Sequence, residues 1–381
     1  MKTVTLGEIC DVISRGITPK YTDKESIIVL NQKCIRAWDV SLDQSRFHDS
    51  ELKKVSDEKM LRVDDILVCS TGVGTLGRVG QFYGNDTPIT VDSHVMIVRP
   101  DKQKVFPRFL GYILKSREPE IEAMAEGSTN QTELSRVRLS GMEVQLPDIA
   151  EQKRVSGILG NLDEKIELNR AQIQTLESLA SAFFQKTFIQ NPEAENWETG
   201  AISNLVNIYS GYAFKRVDFD DSGRYGLVTI KNVQDSGFVA ECTDRLLSIP
   251  SNMPDYIKIS TGDILLSLTG NVGRVCIALG ENLLLNQRVA KIEGKSNNAV
   301  AYFMFKEDNL KNLMQEMAHG TAQLNLSPVE LKNREYILPP LKIVEGFGSI
   351  GESLYEQIIV LLQENQTLAK TRDSLLTKLI K

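Results

Sequence analysis

Histidine is scarce in this chain: His48, His94 and His319 are the only three, and no two stand at a metal-ligand spacing. The five cysteines, Cys10, Cys34, Cys69, Cys242 and Cys276, are scattered and never form a CxxC pair, which excludes a disulfide framework and a thiolate metal site. No apolar run approaches the ~20 residues of a membrane span, and the opening MKTVTLGEIC lacks the apolar core of a signal peptide. A cytoplasmic protein without a membrane partner is expected. Catalytic signatures are missing as well. There is no GxxxxGKS/T phosphate loop, no GxSxG elbow and no Asn/Asp-Pro-Pro-aromatic motif of the amino-methyltransferases. Together these gaps point to a non-catalytic chain with no metal or cofactor of its own.

Positive charge is also in deficit. Lys and Arg number 44 against 50 Asp and Glu, a net charge of −6 with pI near 5.4. A protein that binds nucleic acid unaided shows clustered Lys and Arg, because phosphate contacts demand them. Contact with DNA would here need a partner. Apolar content of 41% and charged content of 25% are otherwise ordinary, and 381 residues allow two or three domains with substantial cores.

What the chain does have is a repeat. DILVCSTGVGTLGRV (Asp65 to Val79) returns as DILLSLTGNVGRV (Asp263 to Val275), MAEGSTNQTELS (Met124 to Ser135) as MAHGTAQLNLS (Met317 to Ser327), and LPDI (Leu146 to Ile149) as LPPL (Leu338 to Leu341). LGEICDVISRG (Leu6 to Gly16) has a weaker echo in ISNLVNIYSG (Ile202 to Gly211). A period near half the chain exceeds any solenoid repeat and matches a whole domain. Short β-type runs (IIVL, DILVCS and HVMIV, then LVTI, DILLSL and RVAKI) read as strands, and PRFLGYILKSREPEIEAMAE and VAYFMFKEDNLKNLMQEMAH as closing helical stretches. The expected fold class is α+β: two similar, mostly β domains over residues 1–147 and 191–339, followed by helical segments at 148–190 and 340–381.

Those segments carry a heptad seam. Val155, Leu159, Leu162, Ile166, Asn169, Ile173, Leu176, Ala180 and Phe183 alternate steps of four and three, and the same phase 192 residues later gives Phe347, Gly351, Leu354, Ile358, Leu361, Asn365, Leu368, Arg372 and Leu375. Surface helices packed on their own domains remain the alternative to a coiled coil. A helix from Ile149 to Phe188 is roughly 50–60 Å long, and the linker IQNPEAENWETG reaches about 40 Å at most. The linker cannot return to the starting end, so antiparallel helices with a domain at each end and pseudo-two-fold symmetry are expected. Asn169 and Asn365 would then face each other and fix register.

GVGTLG (Gly72 to Gly77) fits GxGxxG and has Asp92 downstream, but RVGQFYGND after it has no helical period, so a Gly-rich hairpin is expected rather than a dinucleotide site. GFGSIG (Gly346 to Gly351) lies in the heptad stretch. His94 aligns with Arg288 and His319 with Glu126. Residues shared by the copies are Thr71-Gly72 with Thr269-Gly270, Gly77-Arg78 with Gly273-Arg274, Gly127 with Gly320, and Gln131 with Gln323. The glycines suit turns; the arginines and glutamines suit either strand-edge ion pairs or backbone and base contacts. Candidates that differ are Arg15 and Lys20 against Lys215 and Arg216, Asn31-Gln32-Lys33 against Lys231-Asn232, and Asn130 against Asn325. Such side chains read purine edges in the major groove.

The LGEICDVISRG opening, the doubled DIL…TG…GRV and G…Q…LS…LP blocks, and the helix EQKRVSGILGNLDEKIELNRAQIQTLESLA (Glu151 to Ala180) carry a resemblance. The chain resembles the specificity (S) subunit of type I restriction-modification systems over essentially its whole length. The resemblance implies two target-recognition domains, each reading half of a split double-stranded DNA site. The two helices would set the spacer and dock two methyltransferase (M) subunits, with restriction (R) subunits joining them. S-adenosylmethionine and ATP would belong to those partners, and adenine would be the methylated base. Two departures stand out: VEGFGSIG opens the second helix where the family is more acidic and glutamine-rich, and the short N-terminal extension is missing. A subunit of a related system that cuts on both sides of its site, a DNA-independent scaffold, and a nucleotide-binding enzyme are the other readings.

Overall fold

The apolar runs ILVC and VMIVRP become strands buried on both faces, and this sets the layering. The computed structural model describes all residues except 25, 37, 128–131, 236, 252, 321–322 and 381. It divides into two units, Met1–Glu164 with Leu368–Lys381, and Lys165–Thr367. In the first, an antiparallel sheet has the order Cys10–Arg15, Val95–Pro100, Ile66–Cys69, Val79–Gln81. Successive residues on a strand point to opposite faces. Ile66, Val68, Met96 and Val98 therefore meet a core containing Phe109, Ile113, Val155 and Leu159, whereas Leu67, Cys69, Val95 and Ile97 meet Leu30, Ile35 and Ile89. The second core belongs to a sheet ordered Ile89–Val91, Ile27–Leu30, Arg46–His48, Tyr21–Thr22, whose first two strands are parallel.

The second unit repeats the scheme. Val206–Ser210, Val289–Gly294, Ile264–Ser267 and Val275–Ile277 form the antiparallel sheet. Ile264, Leu266 and Ile292 face the helices, and Leu265, Cys276 and Val289 face a sheet that again holds a parallel pair, Gly226 against Leu283. Among the described residues the cysteines are free thiols, and burial pushes Cys69 and Cys276 up to about 12, far from reactivity. No helix among the described residues is long and apolar enough to cross a membrane.

The repeated Asp of the DIL block has a partner that the sequence reading missed. Asp65 takes two hydrogen bonds from Arg99, Nε at 2.8 Å and an Nη at 2.7 Å, and a third from the Arg62 N–H at 2.8 Å. In the second unit Asp263 takes the Lys291 ammonium at 2.8 Å and the Ser260 N–H at 2.8 Å. Lys291 is not at the place of Arg99: it pairs with Leu265, as Ile97 pairs with Leu67, so the two units supply the cation from different positions on the same strand. A buried carboxylate of this kind persists only when its charge and lone pairs are matched.

Ile149–Phe184 and Leu341–Leu379 are single helices. Within the second unit they run antiparallel: the Asn169 amide donates to Glu364 at 2.8 Å, and Phe183 stacks on Phe347 at 5.1 Å between centroids. The register contact thus runs from Asn169 to Glu364 rather than to Asn365, and both asparagine Oδ1 atoms are buried without a partner. Gly351 fits the seam because a Cβ there would lie 2.5 Å from the Phe347 ring. In the first unit the seam residue Arg372 reaches Asp163 at 2.8 Å, both little exposed. Asp163 also accepts a short hydrogen bond from the Tyr112 hydroxyl. In the second unit Tyr302 donates to Glu177 at 2.5 Å, with Lys306 on the same oxygen at 2.8 Å. Burial first, then the neighbouring carboxylate, raises both phenols above their ordinary range.

The two closing helical stretches are helical as expected, and each is broken once. Pro107–Ser116 and Glu118–Ala123 part at Arg117, because Pro119 suits only a first turn. Asn298–Lys306 and Asp308–Met317 part at Glu307, whose carboxylate caps the Leu310 N–H at 3.1 Å. GVGTLG is the expected hairpin, joining the antiparallel strands Ile66–Cys69 and Val79–Gln81.

Asp65→Asn is expected to cost about 3–5 kcal/mol, since it strands the buried Arg99 charge, and Asp263→Asn less, because its lysine makes a single contact; urea unfolding of both variants measures the difference. The clamping tyrosines stay protonated as donors, so their contribution holds up to about pH 10 and falls above it as unfolded tyrosines ionise. A stability profile between pH 7 and 11 checks the sign.

Candidate nucleic-acid interface

Each unit carries one polar face, assembled where the parallel strand of the second sheet meets the first sheet. Gly16 and Gly211 make the junction possible. A Cβ at Gly16 would lie 2.1 Å from the Val91 carbonyl oxygen, and one at Gly211 2.0 Å from that of Asn286. No side chain fits there. The junction is closed by Ile17 bridging Asp92 and Tyr212 bridging Asn286.

The turns shared by the two copies are pinned alongside. Leu134 N–H bonds the Ser70 carbonyl at 2.9 Å, and Leu326 N–H that of Leu268 at 2.8 Å. Glu126 and Glu133 exchange backbone hydrogen bonds, as do His319 and Asn325. Asn325 therefore occupies the place of Glu133, not of Asn130. Gly72 and Gly270 hold φ of 97° and 73°, the left-handed region that glycine supplies without strain. The Thr71 hydroxyl lies 2.8 Å from His94 Nδ1, and the Thr269 hydroxyl donates to Asn325 Oδ1 at 2.8 Å.

The expected contact residues separate into groups. Lys20, Lys33, Lys215, Arg216 and Lys231 are exposed, with no side-chain ion pair among the described residues, and Gln323 and Asn325 are exposed beside Gly270. Arg15 is half-buried and paired with Glu133, and its guanidinium also donates to the Leu134 carbonyl at 3.0 Å. Arg78 leans on the Ile35 carbonyl at 3.5 Å. Arg274 is drawn to Asp235 at 3.1 Å and Gln234 at 2.6 Å, so it serves as a turn anchor as the structure stands. Asn232 is a correction. It is 2% exposed, and its amide is used up on the Thr229 N–H and the Val239 and Glu241 carbonyls, which makes it a scaffold residue. Asn130 and Gln131 lie outside the described residues.

The face includes residues that sequence reasoning did not select. Arg46 lies 3.5 Å above the Tyr21 ring, a planar cation held flat by its neighbour. Burial, then the Asp92 charge, raises the Tyr21 phenol, and burial also raises the Asp92 carboxyl. Arg288 is exposed with φ of 74°. Backbone angles and cross-strand stacking leave no trace in composition; only the alignment of His94 with Arg288 hinted at one of them. His48 is structural, its ring bonded to the Lys20 N–H at 2.9 Å and the Lys53 carbonyl at 2.7 Å.

The profile of the type I restriction modification DNA specificity domain matches residues 1–178 and again 194–368. The chain belongs to that family. It is similar to the type I restriction enzyme HindI specificity subunit of Haemophilus influenzae, 23% identical over 466 residues and covering 100% of this chain and 98% of that protein. The MjaVIII specificity subunit of Methanocaldococcus jannaschii is 23% identical over 410 residues, covering 100% and 94%. A crystal structure of the type I restriction-modification system S subunit from M. genitalium superposes with a TM-score of 0.55 at 16% identity, covering 100% of this chain and 96% of that one. It shares the fold.

Lys215→Ala and Arg216→Ala are expected to weaken DNA binding alike for all sequences and to lower the slope of log K against log salt by about 0.9 each. Arg274→Ala should lower stability and leave that slope unchanged. Salt titrations of duplex binding, run beside thermal melts, separate the two.

Proposed function

We propose that this specificity subunit reads a split, asymmetric double-stranded DNA site, one half with each polar face. The observation that supports it most is the pairing of a frame repeated in both units with changed side chains. Gly16 and Gly211, Gly72 and Gly270, and the loop bonds at Ser70 and Leu268 recur, while Glu133 becomes Asn325, His94 becomes Arg288 and Ile17 becomes Tyr212. Equal frames with unequal edges suit two different half-sites.

The long helices act as ruler and dock. Ile149, Ile158 and Leu168 are exposed on the first, and Leu341, Ile350 and Val360 on the second, each pair 192 residues apart. Repeated exposed apolar residues suit two copies of one partner, here two methyltransferase subunits. Restriction subunits join that core, giving four domains of labour along the chain at 1–147, 148–190, 191–339 and 340–381. S-adenosylmethionine and ATP are held by those partners, and this chain contributes recognition without catalysis. Its acidic balance is consistent with partners that supply much of the phosphate contact.

Removing residues 166–172 and 361–367 together takes one heptad from each helix, about 10 Å, which equals about three base pairs at 3.4 Å each. With the partner methyltransferase co-purified, selection from random duplexes should return the same two half-sites with a spacer shorter by about three base pairs. An unchanged spacer would refute the ruler.

A further inference from the structure

His94 and Arg288 occupy one topological position. The His94 carbonyl accepts from Ser70 N–H at 2.8 Å, and the Arg288 carbonyl from Leu268 N–H at 2.9 Å. Both follow the strand that pairs in parallel with its neighbour, and both lie beside the glycine junction. Their turns differ. Asp92 Oδ1 accepts from the N–H of His94 itself, two residues on, at 2.9 Å. Asn286 Oδ1 takes the N–H of Gln287 instead, at 2.7 Å. Residue 288 is then carried into the left-handed region at φ 74°, where an arginine is strained and a glycine would not be. The turn is held from both sides, by Gln287 N–H on the Tyr212 carbonyl at 2.9 Å and Gly211 N–H on the Val289 carbonyl at 3.1 Å.

Strain fixed by surrounding bonds is found where a side chain must be aimed. Arg288 is exposed and makes no ion pair or hydrogen bond from its guanidinium among the described residues. Two other arginines of this unit are spent on internal partners: Arg274 on Asp235, and Arg245 on the Gly223 carbonyl at 2.6 Å. A guanidinium with five donors and no internal acceptor matches the O6 and N7 acceptors of guanine in the major groove.

We propose that Arg288 is the guanine-reading residue of the second half-site, at the position where the first unit presents His94. The inference rests on the split-site reading above. His94, tied through Nδ1 to Thr71, offers one ring nitrogen and no bidentate fork, so the same position reads differently in the two units.

Arg288→Gly and Arg288→His are to be compared with the unaltered chain, each co-purified with the partner methyltransferase and tested on duplexes substituted one base pair at a time. The glycine variant should melt at or above the unaltered protein, since it relieves the strained turn. Discrimination at a single G·C pair of one half-site should fall roughly 5- to 150-fold, with the other half-site and the spacer unchanged. Full discrimination in both variants, with the split site intact, overturns the role of Arg288 and leaves the split-site reading standing. A lowered melting point with loss across the whole half-site also overturns it, because the residue would then be structural. Absence of any split preference in the unaltered complex overturns both.

Discussion

Two half-buried carboxylates on the first long helix, Asp163 and Glu177, tie each β unit to the helical segments packed on it. Asp163 receives the Tyr112 hydroxyl and the Arg372 guanidinium; Glu177 receives the Tyr302 hydroxyl and the Lys306 ammonium. A carboxylate partly withdrawn from water favours donors of fixed geometry, so these bonds help to set the position of each β unit on its helices. Apolar packing alone would leave a choice of neighbouring registers. The polar faces inherit their placement from this attachment, through the antiparallel sheet above the helix-side core.

The two clamps are not copies. Position 192 beyond Asp163 is Tyr355, which packs against Tyr302 at 5.3 Å, and position 192 before Arg372 is Ala180, which is buried in the core. An ion pair in one unit thus stands where the other has an aromatic and a methyl. Each unit thus uses a tyrosine to reach the first helix, with different partners around the carboxylate.

Much of this was legible in the residues. Doubled DIL blocks gave the repeat, the four-three steps gave both long helices, and the failed helical period after GVGTLG gave a hairpin. Arg372 and Gly351 stand at seam positions that usually carry apolar side chains; their reasons are three-dimensional, a carboxylate across the helix pair and a phenylalanine ring filling the space. The partners of Asp65 and Asp263 were hidden because their cations lie far along the chain. Asn232 misled for a related reason. Asparagine is as suited to bonding a local turn as to reading adenine, and only burial separates the two uses. Arg288 was invisible as a site because its backbone angle is set by which N–H the preceding Asn286 engages.

The central claim is that sequence choice resides in this chain. It is tested most directly by single-molecule sequencing of methylated adenines in host DNA, with the gene present, deleted and restored. The account predicts a split, asymmetric methylated motif that disappears on deletion and returns on restoration. A motif that persists without the gene, or one that is contiguous, would contradict it.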